Sequence, residues 1–236
     1  MSLPKVTAPT YELELPSSGK KVKYRPFLVK EEKVLLIALD SKDEKQITQA
    51  IIDVLKACII TRGIKVDSLP SFDLEYIFLK IRGASVGEDI VVNVKCMDDK
   101  TTEVAHTINI DEVKVYKPKG HTDKIMINKT VGVIMKYPSL NHFIDIGFLD
   151  DKELDGVDIL CNSIDQIFDG EDVTEAKECS RKELVAFVES LTQAQFQKIS
   201  KFFETMPKLK HDFTVTNPNT GKESEYTLEG LQSFFV

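Results

Sequence analysis

The feature that most constrains this chain is a change of hydrophobic period inside one short stretch. Residues 9–41 read PTYELELPSSGKKVKYRPFLVKEEKVLLIALDS. Tyr11, Leu13 and Leu15 alternate with Glu12 and Glu14, the period-two pattern of a half-buried strand. Pro16, Ser17, Ser18 and Gly19 supply turn chemistry, and Val22 and Tyr24 alternate with Lys21, Lys23 and Arg25 to form a return strand. The glutamates of one strand then face the basic residues of the other, which pins the pairing. After Pro26 the period becomes helical, with Val34, Leu35, Ala38 and Leu39 on one stripe. None of these residues forms a catalytic constellation.

The rest of the chain repeats this alternation of blocks. Ile47, Ala50, Ile51, Val54, Leu55, Cys58 and Ile59 predict a helix over 43–60 that stops at Gly63. A second helix is expected over 71–81, with Ser71 as its N-cap and apolar residues all round it, so it belongs at the centre of a core. Ile90, Val92 and Val94, then Val104, His106, Ile108 and Ile110, predict a hairpin, with Val113 and Val115 open to a third strand. Residues 126–136 read as β-structure broken by Gly132, and Ser139 can start a short helix. Residues 152–168 read as one helix or two, broken near Gly156. Ser180 with Glu183, and Thr192 with Gln195, form two capping boxes, which predict helices over about 181–191 and 193–205. A last hairpin is expected over 213–227, after which Thr227 caps a terminal helix ending in Phe234 and Phe235.

These blocks predict an α+β fold of antiparallel β-hairpins combined with short helical bundles, without a Rossmann-like doubly wound sheet. Soft boundaries near 83–89 and near 150 divide it into a hairpin-plus-helix region (1–84), a β-rich hairpin region (85–150) and a helical region with a C-terminal hairpin and terminal helix (151–236). One continuous domain is equally open. A chain of 236 residues can bury roughly 70–75% of its unfolded surface, so it needs no disulfide. Cys58, Cys96, Cys161 and Cys179 are expected to be free thiols.

With 38 acidic against 31 basic residues the net charge is −7, which argues against nonspecific nucleic-acid binding and against docking on an anionic membrane. No apolar run reaches the length of a bilayer span, and MSLPKVTAPT contains no secretory h-region, so a cytosolic location is expected.

Several motifs imitate chemistry. Gly83-Ala84-Ser85-Val86-Gly87 matches GxSxG, but a nucleophile elbow needs a strand before the serine and a helix after it, and here the order is reversed. Asp151, Glu153, Asp155 and Gly156 imitate a calcium loop whose twelfth position would be Asn162, not Glu. Gly221-Lys222 lacks the upstream glycine and the following Ser or Thr of a phosphate loop. His106, His121, His142 and His211 have no tight spacing with a second His or Cys; a zinc site assembled from Cys96, His106 and His121 is conceivable, and hydrogen-bonded or solvated structural histidines are the default. Two basic clusters, at Lys20 to Arg25 and at Lys114 to Lys124, hold one tyrosine each, Tyr24 and Tyr116, and no interleaved set of aromatics suited to base stacking. No cofactor and no metal is expected.

Three blocks together carry a family resemblance: residues 9–41 above, GHTDKIMINKTVGVIMKYPSLN (120–141) and MPKLKHDFTVTNPNTGKESEYTLEGLQSFF (206–235). The chain resembles the T-even-type phage baseplate proteins, of the central hub or hub-assembly set of contractile tails. The resemblance implies a non-enzymatic protein that acts by contact with other hub or tail proteins, in the infected cell and in the tail baseplate. The leading reading is a hub component or a factor that helps the hub assemble; the alternative, which the acidic charge and mixed apolar faces allow equally, is a dedicated assembly chaperone absent from the finished particle; a hydrolase using Ser85 is the remote alternative. Hairpins of this kind in related phage proteins can carry a CxxC zinc knuckle, whereas the turns here read MDDK and NPNT. The residues expected to meet partners are Tyr11, Tyr24, Arg25, Phe27, Tyr137, Phe234 and Phe235.

Overall fold

A computed structural model describes residues 6–139, 156–230 and 233. The elements in chain order are β1 (Tyr11–Glu14), β2 (Lys21–Tyr24), α1 (Val29–Ser41), α2 (Glu44–Cys58), α3 (Ser71–Val86), β3 (Asp89–Lys95), β4 (Glu103–Asn109), β5 (Lys114–Tyr116), β6 (Lys124–Met126), β7 (Val131–Met135), α4 (Gly156–Ser163), β8 (Ile164–Asp169), β9 (Asp172–Glu175), α5 (Arg181–Glu189), α6 (Gln193–Thr205), β10 (Lys208–Thr216) and β11 (Glu223–Glu229). Every strand pair is antiparallel, in the sheets β1-β2, β3-β4, β11-β10-β5 and β6-β7-β8-β9. The fold is α+β, with no doubly wound sheet among the described residues.

The chain forms two compact units. The first takes Met1–Val66, Phe72–Tyr116 and Lys208–Val236; the second takes Asp67–Ser71 and Lys117–Pro207.

In the first unit, the β1-β2 register sets Glu12 opposite Lys23 and Glu14 opposite Lys21, with Leu13 and Val22 paired on the buried face. Lys21 also reaches diagonally to Glu12 at 3.2 Å. Asp43 caps α2 by accepting from the Lys45 and Gln46 backbone N–H groups. Helix α3 is central, burying Phe72, Ile77, Phe78, Leu79 and Ile81. It runs five residues past the expected end. Gly87, at φ +112°, closes it by donating its N–H to the Gly83 carbonyl, so Gly83 and Ser85 are helical residues and not a turn. A core of Leu79, Ile90, Val92, Ile108, Ile110, Leu209, Phe213 and Val215 joins α3 to β3, β4 and β10. Strand β5 pairs with β10 and does not extend the β3-β4 hairpin.

In the second unit, both capping boxes form: Ser180 and Glu183 open α5, Thr192 and Gln195 open α6. Gly132 does not break its strand. It lies inside β7 opposite Phe168, where an added Cβ would sit 2.3 Å from the Phe168 ring and 2.7 Å from the Ile125 carbonyl oxygen. Close approach of the neighbouring strand requires glycine there.

Two helical expectations are corrected. Residues 164–169 are strand β8, turning through Asp169, Gly170 (φ +63°) and Glu171 into β9. Ile164 and Phe168 are four apart and share a face in either period, so the alternation was ambiguous. Thr227 is not a helix cap; it lies in β11 opposite Asp212, to which its hydroxyl donates at 2.6 Å. The helix expected from Ser139, the chain from 152 to 155 and the terminal pair Phe234 and Phe235 lie outside the described residues.

Candidate interaction surface

The start of α1 is built by an internal ion pair. Arg25 sends both terminal nitrogens to Glu31, Nη2 at 3.1 Å from Oε1 and Nη1 at 3.3 Å from Oε2, and Nη1 also donates to the Pro26 carbonyl at 2.8 Å. Glu31 accepts the Leu28 N–H at 2.6 Å, which satisfies an orphan donor at the helix start. Burial pushes the Glu31 carboxyl upward, but the hydrogen bonds from Arg25 and Leu28 outweigh it and hold the group below its ordinary range. The Arg25 N–H donates to the Cys58 carbonyl, at the end of α2. Cys58 itself is buried, which raises its thiol to about 11 and leaves it unreactive at neutral pH.

One residue further on, the Phe27 N–H donates to Ser85 Oγ at 2.9 Å, and that hydroxyl donates to the Ile81 carbonyl at 2.6 Å. Ser85 therefore lies in α3 with its oxygen bound to backbone on both sides, a splice between α3 and the α1 entry. These bonds fix Phe27, half-buried, at the mouth of a cavity of roughly 210 Å³ between α1, α2 and α3.

The outward side of α1 is strongly apolar. Val29 is 80% exposed, Leu36 59% and Ile37 60%. Of the stripe read from the sequence, Ala38 is buried, whereas Val34 and Leu39 remain exposed. One helix thus presents apolar side chains to the core and to solvent at once, and contiguous exposed apolar surface of this kind marks interaction sites.

The expected partner residues fall in different places. Tyr11 is exposed and stacks on Tyr24 at 5.6 Å between ring centroids, and Tyr24 is buried beneath it. Burial raises the Tyr24 hydroxyl above its ordinary value. Arg25 is a strut inside the first unit. Tyr137 lies in the second unit, half-buried, with its hydroxyl 3.0 Å from His121 Nε2 and its ring stacked on Phe202. His121 also meets the Thr205 hydroxyl at 3.0 Å, and burial lowers its ring below the ordinary histidine range. Two residues missed in the sequence, Leu36 and Ile37, make the most exposed part of the surface after Val29. Their signal was present: LLIAL places five apolar residues in succession, more than one helical face can bury.

The two hairpin turns without CxxC meet each other. Asn217, buried in the NPNT turn, donates through Nδ2 to Asp98 at 2.8 Å and to Asp99 at 3.0 Å in the MDDK turn. Asn219 donates to Thr102 Oγ1 at 2.9 Å, and the Tyr226 hydroxyl to the Lys95 carbonyl at 2.8 Å. Hydrogen bonds to Thr220 and Asn217 hold the Asp98 carboxyl low, and those from Thr102 and Thr101 do the same for Asp99. The pair is thus a polar clasp between hairpins. Gly221-Lys222 belongs to the same turn, with Gly221 at φ +73°. His106 stacks on Phe213 at 4.5 Å. Among the described residues, no three His, Cys, Asp or Glu side chains are grouped to hold a metal ion, and no helix is long and apolar enough to cross a membrane. Cys58, Cys96, Cys161 and Cys179 are free thiols.

A family model described as T4 bacteriophage base plate protein matches residues 8–236. No curated protein and no solved structure matches the chain.

Proposed function

The chain belongs to the T4 bacteriophage base plate protein family, and on that premise we propose that it serves the central hub of a contractile-tail baseplate, without catalysis, as a component held by contacts with other hub or tail proteins. The observation that carries this reading is the family match over nearly the whole chain. It is supported by the apolar outer side of α1, which a protein working alone would have no reason to keep. In this reading Tyr11, Phe27 and the α1 residues Val29, Leu36 and Ile37 meet one partner. Tyr24 and Arg25 hold that surface in shape from beneath. Tyr137, Phe234 and Phe235 are proposed as further contacts, with charged rims setting register. The working places are the infected cell during assembly and the tail baseplate afterwards.

Quantitative mass spectrometry of purified particles tests the proposal. A fixed small ratio of this chain to other baseplate proteins is expected. Abundance in infected-cell lysate with absence from particles would replace the component role by that of an assembly chaperone that leaves before completion.

A further inference from the structure

Strands β6 and β9 are the outer strands of the β6-β7-β8-β9 sheet in the second unit, and no described strand lies on the outer side of either. Across the sheet the register forms three rows: Lys124–Ile134–Gln166–Glu175, Ile125–Val133–Ile167–Thr174 and Met126–Gly132–Phe168–Val173. The Ile127 and Met135 N–H groups donate to the Val131 and Asp123 carbonyls across the β6-β7 pair, and the Gly170 N–H donates to the Thr130 carbonyl beside the Val131-Asp169 pair. By the antiparallel alternation, Lys124 and Met126 on β6, and Val173 and Glu175 on β9, turn their N–H and C=O groups away from the sheet. The Lys124 N–H has a local bond, to Thr122 Oγ1 at 3.2 Å, and the Glu175 carbonyl accepts a weak one from Cys179 Sγ at 3.8 Å. The two edges differ in charge. Near β6 stand Lys119, Lys124 and Lys129, against Asp123; near β9 stand Glu171, Asp172, Glu175 and Glu178, against Lys177. Each edge also leaves one apolar side chain in solvent, Met126 at 42% and Val173 at 58% exposure.

We infer that these two edges bind each other between copies of this chain, β9 of one copy adding antiparallel to β6 of the next. In this antiparallel sheet β6 and β9 run in opposite directions, so a second β6 enters beside β9 with the correct sense. Pairing Val173 with Met126, Thr174 with Ile125 and Glu175 with Lys124 continues each row into the same row of the next copy, without a shift. The outward N–H and C=O groups of Val173 and Glu175 then meet those of Met126 and Lys124. The same register covers both exposed apolar side chains and sets a carboxylate opposite an ammonium. Lys124, which lies over the Phe168 ring at 4.7 Å, is on the face that this pairing uses, and Glu175 meets Lys177 at the surface of the same acidic edge. The second copy is the occupant because both complementary halves, in phase and in charge, stand on one chain. Short charged edges guard a sheet against pairing; here the guard acts between like edges and becomes attraction between unlike ones. The contact is therefore head-to-tail, and repeats into a ring or a filament. This assembly goes beyond the baseplate role and does not depend on it.

Sedimentation of the purified full chain over a concentration series up to about 1 mM, the range of weak contacts, tests the pairing. Wild-type protein is expected to associate, more strongly at low salt than at high. Lys124→Glu alone and Glu175→Lys alone are each expected to associate at least about tenfold more weakly, since each sets like charges opposite one another. An equal mixture of these two variants is expected to regain the wild-type affinity, because every contact in an alternating assembly again joins opposite charges. Val173→Pro removes an outward N–H that the β8-β9 ladder does not use, and is expected to stop association. A loss caused by misfolding of a single variant would not be regained on mixing, so the mixture separates a structural effect from a lost contact. The inference is overturned if wild type stays monomeric throughout the series, or if either charge reversal or Val173→Pro associates like wild type. It is overturned equally if the mixture associates no better than its two parts. None of these outcomes depends on whether the chain is found in particles.

Discussion

Helices α1 and α6 are each thirteen residues long and have opposite surfaces. Helix α6 opens on a reciprocal capping box, buries Ile199 and Phe202, and shows water a polar face of Gln, Lys and Glu. Helix α1 opens on Leu28, whose N–H is served by Glu31, and leaves Val29, Leu36 and Ile37 in solvent. Burying apolar area yields about 25 cal/mol per Å², so the residues of α6 contribute their share within the second unit. The outward residues of α1 contribute none until something covers them. The contrast separates residues selected for folding from residues available for assembly, and it can be challenged in order of expected effect.

The largest effect belongs to α6. Phe202→Ala removes a ring stacked on Tyr137, tilted against His121 and set edge-on to Phe203, in the core of the second unit. It should cost about 4 kcal/mol in a denaturant melt; a loss below about 1 kcal/mol would mean that α6 is not a core helix. Next comes the ion pair under α1. Glu31→Gln strands Arg25, whose side chain is 19% exposed, and should cost about 2–3 kcal/mol, toward the low side because the guanidinium still reaches some water. If that variant melts like wild type, the α1 entry is held by something other than this pair.

A smaller effect follows from His121. Burial, with the nearby Lys117 charge, lowers its ring, which also meets Thr205 and Tyr137, so the folded value lies below the unfolded one. Its contribution to stability is therefore complete above about pH 6.5 and is lost as the pH falls through the folded value. Thermal melts from pH 7.5 to 5 should show a decline that is shallower in His121→Gln; equal slopes would remove His121 from the acid sensitivity. The smallest effect on stability is expected at the partner face. Leu36→Ser with Ile37→Ser should move the unfolding free energy by less than about 0.5 kcal/mol, whereas any larger loss would place these side chains in the fold and not in an interface.

Much of the first unit was legible because its signals are local. The alternation of Tyr11, Leu13 and Val22, the Asp43 cap and the i, i+3, i+4 run to Cys58 each depend on neighbours in sequence. The capping boxes at Ser180 and Thr192 were readable for the same reason. Strand β8 was not, since Ile164 and Phe168 satisfy both periods and only the Asp169-Gly170 turn distinguishes them. Gly132 looked like a breaker because the Phe168 ring that requires it is distant in sequence. The surface was half legible. Tyr11 and Phe27 could be chosen from the opening block, but nothing in the apolar run 34–39 told which of its members would stay exposed. That depends on how three helices pack, which no local pattern records.

The most direct test of the account is to supply Leu36→Ser/Ile37→Ser in place of the natural chain during infection and to quantify it in purified tails against the wild-type protein. The account predicts a folded variant, equally abundant in lysate, that is at least about tenfold depleted from tails, a loss of about 1.4 kcal/mol or more in binding. Incorporation at the wild-type ratio would contradict it, and would assign the outer side of α1 no part in assembly.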